Sequence, residues 1–219
     1  NYCNYIDHTL LKADAREKDI KNLCKEAKEY EFFSVCVNPQ YVKSCNKYLK
    51  GSEVKVCTVV GFPLGANSTK VKLLEAKKAI IDGADEIDVV MNIGKFKDKK
   101  YTYVGKELSK IVDLCNKKTL VKVIIETCYL TREEILKACE LVYECGVDYV
   151  KTSTGYGSNG AQVEDVKAMK EVCRDKLKIK ASGGIKTLAQ VEQFILAGAE
   201  RIGTSSGVNI VKEGMLEKE

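Results

Sequence analysis

Eight short apolar runs recur along the chain, each followed by a helical pattern, and this alternation limits the possible folds more than any other feature. The strand-like runs cover residues 4–9, 32–37, 54–60, 86–91, 120–126, 147–151, 177–181 and 200–203. Between them, Ile20, Leu23, Cys24 and Ala27 repeat at the i, i+3, i+4, i+7 spacing of one helix face. Leu108, Ile111, Val112 and Cys115 follow the same spacing, as do Val191, Phe194, Ile195 and Gly198. Thr131 with Glu134 has the form of a capping box ahead of the stripe Ile135, Cys139, Val142. Gly83, Gly146 and Gly198 fall between a helix and the next strand, where left-handed caps are common. Together these features predict an α/β fold, a single (β/α)8 TIM barrel spanning residues 1–219 as one domain without a linker. The rival, an open doubly wound sheet, usually carries a Gly-rich turn after its first strand. No such turn follows Thr9, so the barrel is favoured.

Charge narrows the function. Lysine and arginine exceed aspartate and glutamate by 36 to 31, a formal net charge of +5. Only Arg16, Arg132, Arg174 and Arg201 are arginines, and lysines such as Lys21, Lys25 and Lys28 scatter over expected outer helix faces. Nucleic-acid binders cluster these residues on one element with stacking aromatics, so no nucleic-acid partner is expected. A small anionic substrate suits the balance. No run of about eighteen apolar residues exists to span a membrane. Residues 1–12 read as a strand carrying Asp7, which is not the pattern of a signal peptide.

Ten cysteines raise a disulfide or metal reading, but no C-x-x-C pair occurs. Cys24, Cys115, Cys139 and Cys173 lie on apolar helix stripes, where free cysteine packs as a small hydrophobe. Cys36 and Cys57 lie inside strands and read as core. A reducing, cytoplasmic setting follows as the simplest expectation. His8 is the only histidine, which excludes any site needing two. It alternates with Asp7 and Thr9, so it packs outward if Asp7 faces inward.

In a TIM barrel the active site is built at the C-terminal ends of the strands. Lys151 ends a short apolar strand and is followed by Thr152-Ser153-Thr154-Gly155. Lys180 ends the next, in Lys178-Ile179-Lys180-Ala181-Ser182. Alternation sets Leu177, Ile179 and Ala181 against the helices and turns Lys180 into the barrel. By the same rule Glu86 shares a face with Asp88, and Lys122 with Glu126. An interior holding Asp88, Lys122, Lys151 and Lys180 is either a structural ion network or a catalytic centre, since buried charge is costly unless paired. A neutral lysine amine attacks a carbonyl to form an iminium, an electron sink for breaking or making a carbon–carbon bond. Burial and a neighbouring ammonium both favour a neutral amine. A carboxylate such as Asp88 could relay protons. Spacing alone does not separate the two lysines. The loops Ser182-Gly183-Gly184-Ile185-Lys186 and Gly203-Thr204-Ser205-Ser206 occupy the places where barrels bind phosphate.

At these residues the chain resembles the 2-deoxyribose-5-phosphate aldolases, class I enzymes that form a Schiff base on a barrel. The resemblance runs through Asp7-His8-Thr9-Leu10, Val35-Cys36-Val37-Asn38-Pro39, Val60-Gly61-Phe62-Pro63-Leu64-Gly65, Glu86-Ile87-Asp88-Val89-Val90 and Lys122-Val123-Ile124-Ile125-Glu126-Thr127. It continues through Val150-Lys151-Thr152-Ser153-Thr154-Gly155, Lys180-Ala181-Ser182-Gly183-Gly184-Ile185 and Arg201-Ile202-Gly203-Thr204-Ser205-Ser206-Gly207. It implies that Lys151 is the Schiff-base lysine, that Lys180 favours the neutral form of that amine and takes part in proton transfer, and that Asp88 is the proton relay. It places Gly155, Gly183, Gly184, Gly203, Ser205 and Ser206 at the phosphate, and Asp7 and Thr9 near substrate hydroxyls. The implied reaction is reversible cleavage of 2-deoxy-D-ribose 5-phosphate to D-glyceraldehyde 3-phosphate and acetaldehyde, with no cofactor and no metal, in a homodimer. Some members carry a tail tyrosine that helps protonate the enamine carbon. This sequence ends Gly214-Met215-Leu216-Glu217-Lys218-Glu219, so that donor is left open between another group and water. The residues leave two other readings: a phosphosugar isomerase working by enolisation, and a non-catalytic barrel that binds a sugar phosphate.

Overall fold

A computed structural model describes residues 2–216. Asn1 and Glu217, Lys218 and Glu219 lie outside the described residues, and with them the end of the tail compared above. Eight strands close into a barrel in sequence order. They are β1 (Ile6–Leu10), β2 (Ser34–Val37), β3 (Lys55–Val60), β4 (Glu86–Val90), β5 (Leu120–Ile124), β6 (Tyr149–Lys151), β7 (Lys178–Ser182) and β8 (Arg201–Thr204). Every neighbouring pair is parallel, including β1 with β8. The chain therefore has the single TIM barrel expected from its alternation.

Helices α1 (Glu17–Glu29), α2 (Val42–Tyr48), α3 (Thr69–Ile81), α4 (Ile93–Lys97) and α5 (Tyr101–Cys115) cover the first half. Helices α6 (Arg132–Glu144), α7 (Val163–Cys173), α8 (Leu188–Ala197) and α9 (Gly207–Leu216) cover the second. Outward side chains of the strands, including Val35, Ile87, Val89, Val123, Val150, Ile179 and Ile202, are buried against the helices in one continuous apolar shell. The barrel interior is instead polar and charged. One period-2 pattern thus builds two environments, an oily shell outside the strands and an ionic core inside them.

Local signals hold where they were strongest. Ile20, Leu23, Cys24 and Ala27 are the buried face of α1. Thr131 caps α6, its Oγ1 accepting from the Glu134 amide at 3.3 Å while the Glu134 carboxylate accepts from the Thr131 amide at 2.9 Å. Gly83, Gly146 and Gly198 all take positive φ, at 96°, 74° and 113°. His8 packs outward, buried against Phe32, with Nε2 2.7 Å from Glu26 of α1. Among the described residues no disulfide joins any of the ten cysteines. Among the described residues no helix is long and apolar enough to cross a membrane.

Strand ends differ from the sequence reading. Tyr2–Tyr5 is a 3-10 turn, so β1 starts at Ile6 and runs on to Leu10. β5 stops at Ile124, and Glu126 takes a left-handed backbone with φ 54°. Glu126 therefore leaves the face of Lys122 on which alternation had set it. Its carboxylate accepts from the Thr154 amide at 3.1 Å and from the Thr154 hydroxyl, tying the loop after β5 to the loop after β6.

The α6 cap gives a direct check on the local account. Thr131→Ala is expected to lower stability by about 1 kcal/mol by orphaning the Glu134 amide, without affecting catalysis. A urea midpoint equal to that of the parent chain would contradict it.

Candidate active site

Inward-facing residues of five strands meet on one carboxylate. Register sets Asp88 of β4 beside Lys122 of β5, and Lys151 of β6 beside Lys180 of β7. Asp88, Lys122 and Lys180 are fully buried, and Lys151 is 3% exposed. Asp88 Oδ2 accepts from Lys151 Nζ and from Lys180 Nζ, each at 2.8 Å. Its Oδ1 accepts from Lys122 Nζ at 3.0 Å and from the Cys57 thiol at 3.2 Å.

A second layer of charge lies against the first. Lys180 Nζ is also 2.5 Å from Asp7 Oδ2. Asp7 Oδ1 accepts from Ser34 at 2.7 Å and from Arg201 Nη1 at 2.8 Å. Arg201 reaches Glu86 as well, at 3.1 Å, and its guanidinium lies 3.5 Å above the Phe33 ring. Lys122 closes the circuit by pairing with Glu86. Asp7 is thus committed to Lys180, Arg201 and Ser34. It holds Lys180 in place, where the resemblance had set it near substrate hydroxyls.

These contacts offset the cost of burying ions. Burial alone would raise the Asp88 carboxyl, but Lys122, Lys151 and Lys180 outweigh it and hold the group well below the ordinary carboxylate range. Asp7 is likewise held low by Lys180, Arg201 and Lys122 against its burial. Burial alone would lower the Lys180 ammonium; Asp7 and Asp88 more than offset that and hold it above the ordinary lysine range. Lys122 is raised for the same reason, by Asp88, Glu86 and Asp7 acting against burial. Burial pushes the Cys57 thiol well up.

The two candidate lysines are therefore not equivalent. Among the described residues Lys180 holds two carboxylates, Asp7 and Asp88, whereas Lys151 holds Asp88 alone. Lys151 is also the less enclosed of the two.

The remaining sequence candidates surround this centre. Thr9 is half-buried, and its hydroxyl donates to the Asp7 carbonyl at 2.8 Å. Gly183 lies against the loop after β6, where a Cβ on it would fall 3.0 Å from Gly160 Cα and 3.5 Å from Gly155 Cα. Gly184 is exposed beside it. Ser205 and Ser206 precede α9, and the Ser206 amide donates to Thr204 Oγ1 at 2.9 Å. Gly203 differs from the rest. It lies within β8, level with Ser182 and Asp7, and a Cβ on it would fall 2.9 Å from Ser182 Cβ and 3.0 Å from Lys180 Cε. Its missing side chain leaves room for Lys180.

Sequence reasoning passed over three members of the centre. Arg201 was only a rare arginine, Glu86 only a face-mate of Asp88, and Cys57 only core. A strand-start arginine two residues before Gly203 was the available signal for Arg201. Gly160, whose Cβ would fall 2.1 Å from the Gly183 carbonyl oxygen, carried no local signal.

Comparison with known proteins gives matches along nearly the whole chain. A family described as DeoC/LacD family aldolase matches residues 2–213. A deoxyribose-phosphate aldolase of Finegoldia magna is 58% identical over 208 residues, covering 95% of this chain and 97% of the relative. One from Thermococcus kodakarensis is 56% identical over 211 residues, covering 95% and 94%. A structure of the deoxyribose phosphate aldolase from Aeropyrum pernix, described as a unique tetramer, superposes with a TM-score of 0.91 at 33% identity, covering 97% and 90%.

The ion network also sets a pH window for stability. Asp7 and Asp88 are depressed, so their contribution is fully present above the ordinary carboxylate value of 3.8 and lost as pH falls toward their folded values. Lys122 and Lys180 are raised, so theirs is fully present below 10.5 and lost as pH rises toward their folded values. Urea midpoints are expected to fall on both sides of that window. A midpoint undiminished well below pH 3.8 would contradict the account.

Proposed function

The chain belongs to the DeoC/LacD family of aldolases, and from that premise we propose that it cleaves 2-deoxy-D-ribose 5-phosphate reversibly through a Schiff base on Lys151. The products are D-glyceraldehyde 3-phosphate and acetaldehyde. The observation that carries this reading is the single Asp88 carboxylate shared at 2.8 Å by two lysines, only one of which has a second anionic partner.

Lys151 Nζ attacks the aldehyde carbon of the open-chain sugar, and loss of water gives the iminium. A proton leaves the C3 hydroxyl, C3 becomes a carbonyl, and the C2–C3 bond pair moves onto C2 and the iminium nitrogen. The three-carbon product departs. The enamine left on Lys151 takes a proton at C2, and hydrolysis of the new iminium releases acetaldehyde. Asp88 and Lys180 carry protons along this route, since they form a continuous hydrogen-bonded path to Lys151. Charge counting supports the assignment. The connected interior holds Asp7, Glu86 and Asp88 against Lys122, Lys151, Lys180 and Arg201, three carboxylates and four cations. Lys122, Lys180 and Arg201 each hold two or more of these carboxylates, whereas among the described residues Lys151 holds one.

The 5-phosphate is assigned to the loop glycines Gly155, Gly183 and Gly184, of which Gly155 and Gly183 lie against each other, and to Ser205 and Ser206 ahead of α9, since backbone amides and a helix N-terminus suit an anion. Gly203 serves the same site indirectly by making room for Lys180. Thr9 lies on the β1 side of the mouth, where the sugar hydroxyls pass. No metal or cofactor enters these steps. A homodimer in a reducing cytoplasm is part of the same reading. Ten cysteines with no disulfide among them support the compartment, and the exposed apolar stripe Val71, Leu74 and Ile81 on α3 supports an oligomer.

Acetaldehyde release from 2-deoxyribose 5-phosphate, followed with a coupled dehydrogenase, tests the reading. Lys151→Ala is expected to lower turnover by about 10³-fold or more while the far-ultraviolet circular dichroism stays unchanged. Isomerisation surviving in Lys151→Ala would favour an enolising isomerase. Binding of the sugar phosphate without acetaldehyde release by the parent chain would favour a non-catalytic barrel.

A further inference from the structure

Cys36 and Cys57 stand directly opposite each other on β2 and β3, in register and fully buried. Both face the barrel interior, where they cluster with Val59 beneath Leu11 and Phe62. Their sulfurs and an Asp88 carboxylate oxygen all lie within 4.8 Å of one another. Among the described residues this is the only such group of three or more ligating side chains. Two other thiol pairs, Cys24 with Cys45 and Cys139 with Cys173, are also hydrogen-bonded, but no carboxylate joins them in such a group.

We propose that Cys36, Cys57 and Asp88 form a binding site for a thiophilic, closed-shell divalent ion of the zinc and cadmium class, and that an ion there blocks the aldolase centre. Geometry supports it. Zinc binds thiolate sulfur at about 2.3 Å and carboxylate oxygen at about 2.0–2.2 Å in a tetrahedral shell, so ligand atoms around one ion lie roughly 3.5–3.8 Å apart. The Cys57 Sγ to Asp88 Oδ1 separation is already 3.2 Å. Three protein ligands leave a fourth position open for water or for the thiol of a small molecule. Charge supports it too. The ion brings two positive charges and the two thiols release two protons to solvent, so the net charge of the interior is unchanged. Lys122 Nζ, 3.5 Å from Cys57 Sγ, faces the new thiolate and can donate to it in exchange for the Asp88 oxygen it gives up.

The consequence for the reaction follows from the shared carboxylate. An ion on Oδ1 draws electron density from the group whose Oδ2 serves both Lys151 and Lys180, and Asp88 loses its power to accept a proton. Binding stands apart from the aldolase reading; only the block rests on it.

The test is a titration of the full chain, reduced with a phosphine and freed of metal, first with Cd²⁺ and then with Zn²⁺. Cd²⁺ is expected to raise a thiolate-to-metal charge-transfer absorbance that saturates at one ion per chain. The band should vanish in Cys36→Ser and in Cys57→Ser, and persist in Cys24→Ser and in Cys139→Ser. Zn²⁺ is expected to inhibit acetaldehyde release, with a midpoint raised by about tenfold or more in Cys57→Ser. Near-ultraviolet circular dichroism checks the packing of each variant, and Cys36→Ala and Cys57→Ala replace any serine variant that fails to fold. Absence of the band, its survival in both Cys36→Ser and Cys57→Ser, or its loss in Cys24→Ser or Cys139→Ser would overturn the site. A cysteine-dependent band with no Zn²⁺ inhibition of an active enzyme would overturn the block. An inactive parent chain that still shows the band would sink the proposed function and leave the ion site standing.

Discussion

The Asp88 carboxylate is the contact on which the barrel interior depends. It accepts from Lys151, Lys180, Lys122 and Cys57 at once, from strands β3, β5, β6 and β7. Such a carboxylate fixes four side chains in one geometry and holds their charge out of water. Removing it would leave the amino groups of Lys122, Lys151 and Lys180 competing for Asp7 and Glu86, which is why a buried pair is far costlier to break than to replace as a whole. The same contact makes the two lysines different. Lys180 has a second anion in Asp7, itself held by Arg201 and Ser34, whereas Lys151 has none among the described residues.

The apolar shell makes this affordable to the fold. Strand residues facing the helices are mostly Val, Ile or Ala, and they carry the hydrophobic stabilisation of the barrel. The interior is then free to hold groups selected for chemistry. Room inside it is limited, and Gly203 shows how it is made: a methyl group at that position would press on Lys180 and Ser182. A further buried pair, Lys72 with Glu107 between α3 and α5, ties the shell behind β4, with Lys72 Nζ donating to the Val90 carbonyl at 2.9 Å. An ionic contact thus also braces the strand that carries Asp88.

Much of this was legible in the sequence because it is local. Strand–helix alternation, the Thr131 cap and the inward turn of Lys180 each follow from periodicity within a few residues. Asp88, Lys122, Lys151 and Lys180 were readable as one group because all four lie on inward faces near strand ends. What stayed hidden depends on register between strands. Nothing near Arg201 says that it meets Asp7 across the barrel closure, and nothing near Cys57 says that it stands opposite Cys36 and touches Asp88. Glu126 misled because its strand ends two residues early and its backbone turns left-handed, which breaks the alternation rule at the point of use. Nothing in the lysine-rich helix α3 marks Lys72 as fully buried, since its partner Glu107 lies on another helix.

The central claim is that carboxylate pairing separates two neighbouring lysines and leaves Lys151 to form the carbon–nitrogen bond. Borohydride reduction in the presence of acetaldehyde, followed by peptide mass spectrometry, tests it most directly. The account expects a two-carbon adduct on the peptide containing Lys151, with Lys180 unmodified. An adduct confined to Lys180 would reverse the assignment, and the absence of any adduct would end Schiff-base catalysis as the explanation of this site.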